Sequence, residues 1–411
     1  DASGILYVAG KNHDGLSNDA SVGKYDTVGN EEWTNELPGS GEDEATGIAV
    51  GPQGIYVVGN TTSGGLISSI LSILNILKPV LSGITVLSGS QDGFLMRLDD
   101  EGDVRYTTYL GGSGTDTATG VAIDPSSGTA YVVGTVRAGG GETFTTTAGA
   151  LQTSVSGSSR DVGYLRAYNT TQSGAGSLVY STFLAGDASD KPTGVAFGQN
   201  RVLVYGLSSS EADDFHITAD ALQTTSSDSM FLLVINPAGG GASDLQYGTF
   251  YSSSVTTGGI AESGNHVYLV GSRGSGGASS GEVYQPDKRG PSDALVVGIA
   301  PFPNNAPGLS GAVQPPAVLE DSTGGMGFLV SSLIAGQVTD ADAPQRQGIA
   351  ITLSATPAGT WESSTNGGTS WAAVGTTSVT SALLLAADSQ SRLGFVPAAN
   401  FAGTVTNALS F

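Results

Sequence analysis

Two carboxylates stand one residue apart at Asp340-Ala341-Asp342. In an extended segment that spacing puts both on the same side. Such an oxygen pair suits calcium, which takes about six to eight oxygen ligands. A denser run, Asp99-Asp100-Glu101-Gly102-Asp103, lacks the spaced ligands and closing glutamate of a helix-loop-helix calcium loop; it reads as a hairpin turn. Glu42-Asp43-Glu44 falls where a repeat mate has Ser113-Gly114-Thr115-Asp116 and reads as a solvated loop. Other chemistry has little to draw on. There is no cysteine, so no disulfide, zinc-thiolate site or thiol nucleophile exists. His13, His216 and His266 are scattered, with no His-Glu-x-x-His pair, no Gly-x-Ser-x-Gly and no Walker loop.

Composition narrows the classes further. The chain has 411 residues, enough for two or three domains. Lys+Arg number 15 against Asp+Glu 37, a net charge of -22. Nucleic-acid binding is disfavoured, because phosphate contacts need clustered cations. Charged residues are only 13%, while Gly 62 and Pro 16 mark a turn-rich chain. The chain opens directly into the strand-like Ile5-Leu6-Tyr7-Val8 and stops at Leu409-Ser410-Phe411. Both ends read as cut from a longer protein.

The elements that must position any site announce themselves as repeats. A Tyr-Val-x-Gly-like strand recurs at Tyr7, Tyr56, Tyr131, Val204 and Tyr268. A second strand follows each, with an Asp one residue before it, at Asp19, Asp92, Asp161, Asp228 and Asp293. Third strands start at Glu32, Tyr106, Tyr180 and Tyr247, and Thr-Gly-Ile-Ala-like fourth strands at Gly47, Gly120, Gly194 and Gly259. Short β-rich runs repeating in fours between Gly, Asp, Asn and Ser turns predict four-stranded antiparallel blades. The fold class expected is all-β: a β-propeller over 1–300, incomplete at the N-terminus, whose missing strands would come from upstream or from a neighbour.

The segments Asp92 to Asp99, Tyr106 to Gly114 and Thr119 to Asp124 resemble the bacterial β-propeller repeat called SBBP. Phe144 to Thr153 and its echo Phe215 to Thr225 match that repeat's insertion. The resemblance implies a propeller within a large exported protein, without an assigned reaction.

One loop departs from the pattern. Leu66, Ile70, Ile73 and Leu77 fall at helical spacing, as do Ile67, Leu71 and Leu74. A short amphipathic helix ending before Pro79 is expected. It serves as a cap on its own blade or as an apolar patch that meets another subunit. Lys78, Pro79 and Gly83 argue against a transmembrane span.

Pro301 to Pro307 read as a linker. The remainder, 308–411, is expected to be an Ig/cadherin-like β-sandwich, with strands at Gly327 to Leu333, Ile349 to Leu353, Thr360 to Ser363, Ser381 to Ala386, Leu393 to Val396 and Val405 to Phe411. Asn305-Ala306-Pro307, Leu319-Glu320-Asp321, Val338 to Asp342, Gly359-Thr360-Trp361 and Phe395-Val396-Pro397 resemble cadherin-like repeats of large bacterial adhesins. That resemblance implies calcium, with Glu320, Asn304 and Asn305 joining Asp340 and Asp342. Ser364 to Trp371 resembles the sialidase Asp-box, with Asn366 and Ser370 in place of Asp and Thr; the motif is a structural hairpin.

The functional expectation is a non-enzymatic structural or adhesive module, extracellular or on a bacterial cell surface. Its partners would be proteins, further copies of itself or a surface glycan. The alternative is a secreted propeller enzyme acting on carbohydrate, which would need an acidic pair or a metal near the propeller axis.

Overall fold

The computed structural model describes residues 3–13, 18–37, 41–63, 81–82, 89–138, 144–155, 159–211, 214–225, 229–251, 255–263, 266–273, 293–300, 308–310, 315, 317–320, 322, 327–339, 347–354, 356–405 and 409–411. The chain divides into two compact units, Asp1–Pro301 and Phe302–Phe411.

The first unit is a series of antiparallel sheets in chain order. Sheet one holds β1 (Leu6–His13), β2 (Asn18–Tyr25) and β3 (Glu31–Leu37). Sheet two holds β4 (Asp43–Gly51), β5 (Gly54–Thr61), the two-residue β6 (Leu81–Ser82), β7 (Asp92–Leu98) and β8 (Val104–Leu110), with β6 parallel to β8. Sheet three holds β9 (Thr117–Ile123), β10 (Ala130–Ala138), β11 (Arg160–Tyr168) and β12 (Leu178–Leu184). Sheet four holds β13 (Asp190–Gly198), β14 (Arg201–Ser208), β15 (Ser229–Ile235) and β16 (Leu245–Tyr251). Sheet five holds β17 (Val255–Ser263), β18 (His266–Arg273) and β19 (Asp293–Ile299). Every strand expected from the repeats is present. The architecture is propeller-like: the leading strands β4, β9, β13 and β17 lie side by side, and each sheet packs on the next.

Alternation explains this stacking. On β5, Ile55 and Val57 join the core shared with Ala20 and Val22 of sheet one. Tyr56 and Val58, on the opposite face, join the core shared with Val121 and Val132 of sheet three. β5 is therefore apolar on both faces, as a strand of a sheet between two sheets must be. The insertions also repeat. Phe144 sits against Tyr164 and Phe183, and Phe215 against Phe231 and Phe250. Gln152 and Gln223 accept from Phe183 N–H and Phe250 N–H, both at 3.1 Å.

The acidic run at 99–103 is the expected hairpin turn. Its backbone closes from Asp99 N–H to Asp103 O at 3.0 Å. Arg105 pairs with the Asp99 and Asp103 carboxylates. The turn also reaches sheet one: Asp100 takes Tyr7 Oη at 2.7 Å and Lys24 Nζ at 2.9 Å. Glu42 and Glu44 flank a different kind of residue, because Asp43 is only 1% exposed; that part of the solvated-loop expectation fails.

The second unit is also β-rich but more broken. It contains β20 (Gly308–Leu309), β21 (Gly327–Leu329), α1 (Val330–Leu333), β22 (Val338–Thr339), β23 (Gly348–Ile351), β24 (Gly359–Ser364), β25 (Ala372–Ala373), β26 (Leu383–Ala386) and β27 (Arg392–Pro397). Its sheets are β21-β27-β24-β25, β23-β26 and β20-β22. Two expectations are corrected here. Residues 330–333 form one helical turn, which buries Val330 and Leu333. Around 405–411 the described residues give only an isolated bridge, Leu353 to Ser410. The Asp-box-like segment is a hairpin turn: Ser370 N–H and Ser364 Oγ both donate to Asn366 Oδ1, and Trp371 Nε1 donates to Gly368 O.

Candidate functional site

The site begins with a motif that recurs three times in the leading strands. Asp43-Glu-Ala-Thr46-Gly47, Asp116-Thr-Ala-Thr119-Gly120 and Asp190-Lys-Pro-Thr193-Gly194 share an Asp-x-x-Thr-Gly pattern. In each, the threonine is the extra residue of a β-bulge, between Ala45 and Gly47, Ala118 and Gly120, or Pro192 and Gly194. A bulge re-aims its side chain out of the pleat. Thr46 Oγ1 thereby donates to Ala118 O of the next sheet at 2.7 Å, and Thr119 Oγ1 to Pro192 O at 2.8 Å. The glycine permits the approach: a Cβ at Gly120 would lie 3.3 Å from Gly194 Cα. In β17 the bulged residue is Gly258, which has no hydroxyl to offer.

The three aspartates of the motif are buried and act as local braces. Asp116 accepts from Gly112 N–H at 2.6 Å and Arg137 N–H at 3.0 Å. Asp190 accepts from Gly186 N–H at 2.7 Å, Ser208 Oγ at 2.5 Å and Ser210 Oγ at 2.9 Å. Asp43 accepts from Ser63 Oγ at 2.9 Å. Burial raises the pKa of all three, with the hydrogen bonds opposing it.

Between sheets three and four these elements line an open cleft of about 490 Å³. Its walls are Thr115, Thr117, Thr119, Thr135, Thr193 and Pro192, with Arg137, Asp161 and Lys191. Thr117 and Thr135 are cross-strand partners whose hydroxyls meet at 2.8 Å. Asp161 receives Arg137 Nη1 at 2.9 Å and Lys191 Nζ at 2.8 Å. Burial pushes the Asp161 carboxyl up, but the hydrogen bonds and charges of Lys191 and Arg137 outweigh it and hold it below the usual range. The carboxylate is thus ionised and clamped. The two cation side chains stay about half exposed, at 47% and 52%. This arrangement can exchange hydrogen bonds with a polyol and leaves a local excess of one positive charge in a chain of -22.

The residues singled out from sequence fall elsewhere. Glu320 lies in an exposed turn. Asn304, Asn305, Asp340 and Asp342 lie outside the described residues, as do Leu66, Ile67, Ile70, Leu71, Ile73, Leu74 and Leu77. Among the described residues no group of three His, Asp or Glu side chains could hold a metal ion. Among them, no helix is long and apolar enough to cross a membrane. The cleft itself was missed, although the Asp-x-x-Thr-Gly recurrence was a readable signal for it.

Comparison with known families agrees with the geometry where it reaches. A family model described as a beta-propeller repeat, SBBP, matches residues 105–135, the span from β8 through most of β10. No curated protein matches the chain. The fold and the repeat together define a structural or binding module built on propeller-like repeats.

Proposed function

We propose that this chain is a non-catalytic adhesive module, displayed outside a bacterial cell, whose cleft between sheets three and four binds an acidic glycan. The cleft carries this reading: a row of threonine hydroxyls beside Arg137 and Lys191 offers donors and acceptors to sugar hydroxyls and cations to a sugar carboxylate. The acidic, cysteine-free composition fits exposure to water and ions outside the cell. In this reading the sheets belong to a closed propeller, and the second unit is a cadherin- or Ig-like sandwich that spaces it from its anchor.

A carbohydrate-acting enzyme is the competing reading. Glycoside hydrolysis generally uses two carboxyl groups, one able to hold a proton. Asp161 is the one carboxylate among the described lining residues, and its clamp keeps it ionised. The test is a glycan array with neutral and uronate-containing oligosaccharides. Binding to uronates, reduced at least tenfold by Arg137→Ala with Lys191→Ala, is expected. No binding by the parent chain, or binding unaffected by both substitutions, overturns the reading.

A further inference from the structure

The joints between sheets repeat one contact near the hairpin end of each leading strand. Glu262 of β17 holds, after Gly259, the place that Ile123 holds after Gly120 and Phe197 after Gly194. Ile123 lies over Gly51 of the sheet before it, where a Cβ would come within 2.6 Å of Ile123 Cγ2. Phe197 stacks on Tyr131 of sheet three, with ring centroids 5.3 Å apart. Both of those side chains are apolar. At the joint between sheets four and five the same place belongs to Glu262, whose carboxyl covers Gly198.

That carboxyl is sealed in. Among the described residues, neither Oε1 nor Oε2 has a hydrogen-bond partner, and both are shut off from solvent. Val267, opposite Glu262 on β18, is 0% exposed. A buried carboxylate without donors is costly, whereas its protonated form loses far less on leaving water. The charges on the elements packed around it are few. From β14, Arg201 acts on the carboxyl through its charge. β15 carries no charged residue. β13 brings Asp190 and Lys191 only at its far end. β18 brings Arg273 at its far end and His266, whose ring stacks on Tyr268 at 6.1 Å. Burial raises the pKa of Glu262, and Arg201 opposes that rise.

We propose that Glu262 makes this joint a pH-sensitive latch: sheet five packs tightly on sheet four while the carboxyl holds its proton, and loosens when the carboxyl ionises. The folded joint binds that proton more tightly than the unfolded chain does. The stabilising contribution is therefore complete below the ordinary glutamate range and is lost as pH rises through the folded value. Both sides of the contact lie within this chain, and the cleft and its ligand play no part in it.

Hydrogen exchange on the intact chain tests the latch, with Glu262→Gln as a neutral variant of the same shape. Protection factors of the β17 amides are compared between variant and parent at about pH 5 and about pH 7.5. Comparing the two chains at each pH cancels the titration of Asp190 and every other group they share. The two chains are expected to agree at the acid pH. At the higher pH the variant is expected to be at least about fivefold better protected, the lower end of what a buried unpaired polar group costs. A ratio that is the same at both pH values overturns the proposal. So does a variant less protected than the parent at the higher pH, because the ionised carboxylate would then be a stabilising partner of Arg201.

Discussion

His216 shows how far burial can set a residue's chemistry. Its ring is packed beside Phe215, with Nε2 3.2 Å from Gln152 Oε1. Burial pulls its pKa down to about 4, so the folded chain keeps it neutral where the unfolded chain has it protonated. Between about pH 6.5 and 4 the unfolded state binds more protons, so stability falls as pH falls. His216→Gln is expected to flatten that part of the pH profile, read as melting temperature against pH. An unchanged acid slope would count against the assignment. Asp43, Asp116 and Asp190 act with the opposite sign. Their raised pKa values make the folded state bind protons more tightly, so their contribution is greatest below the ordinary Asp pKa and is lost as pH rises through the folded values. Sequence alone placed the histidines in separate repeats but could not see this, because burial belongs to the packed neighbours. Glu42-Asp43-Glu44 looked uniformly solvated for the same reason.

At the scale of elements, the strands of the first unit were legible because period-two alternation and turn residues are local signals. The bulges were not, since a bulge is defined by the strand opposite. Thr119 read as one more strand residue, yet it ties sheet three to sheet four. Thr119→Val keeps the shape and β-branching while removing the donor to Pro192 O. A loss of about 1 kcal/mol is expected from urea unfolding. Gly194→Ala tests the packing within sheet four, because a Cβ there would lie 2.1 Å from Cε1 of its cross-strand partner Tyr205. Overpacking of this kind costs roughly 1–3 kcal/mol, read from the same unfolding curves. In the second unit, Val330-Ser331-Ser332-Leu333 continued a strand-like run but turns into a helix that buries Val330 and Leu333. Tertiary packing overrode local propensity there.

For the whole first unit, connectivity matters more than any single contact. Asp43, Asp116 and Asp190 stand 73 (116 − 43) and 74 (190 − 116) residues apart, and each sheet packs chiefly on the one before and the one after. Stability in such an array is close to a sum of sheet and neighbour terms. Load applied along the chain would then be met by one sheet at a time. Each yielding blade would release about 250 Å of polypeptide at ~3.4 Å per residue. Pulling the chain between a bead and a surface should give a sawtooth of near-equal extensions, and one abrupt rupture of the entire unit would contradict it. A chain built this way would lengthen in steps under force and dissipate work at each step while part of the array is still folded.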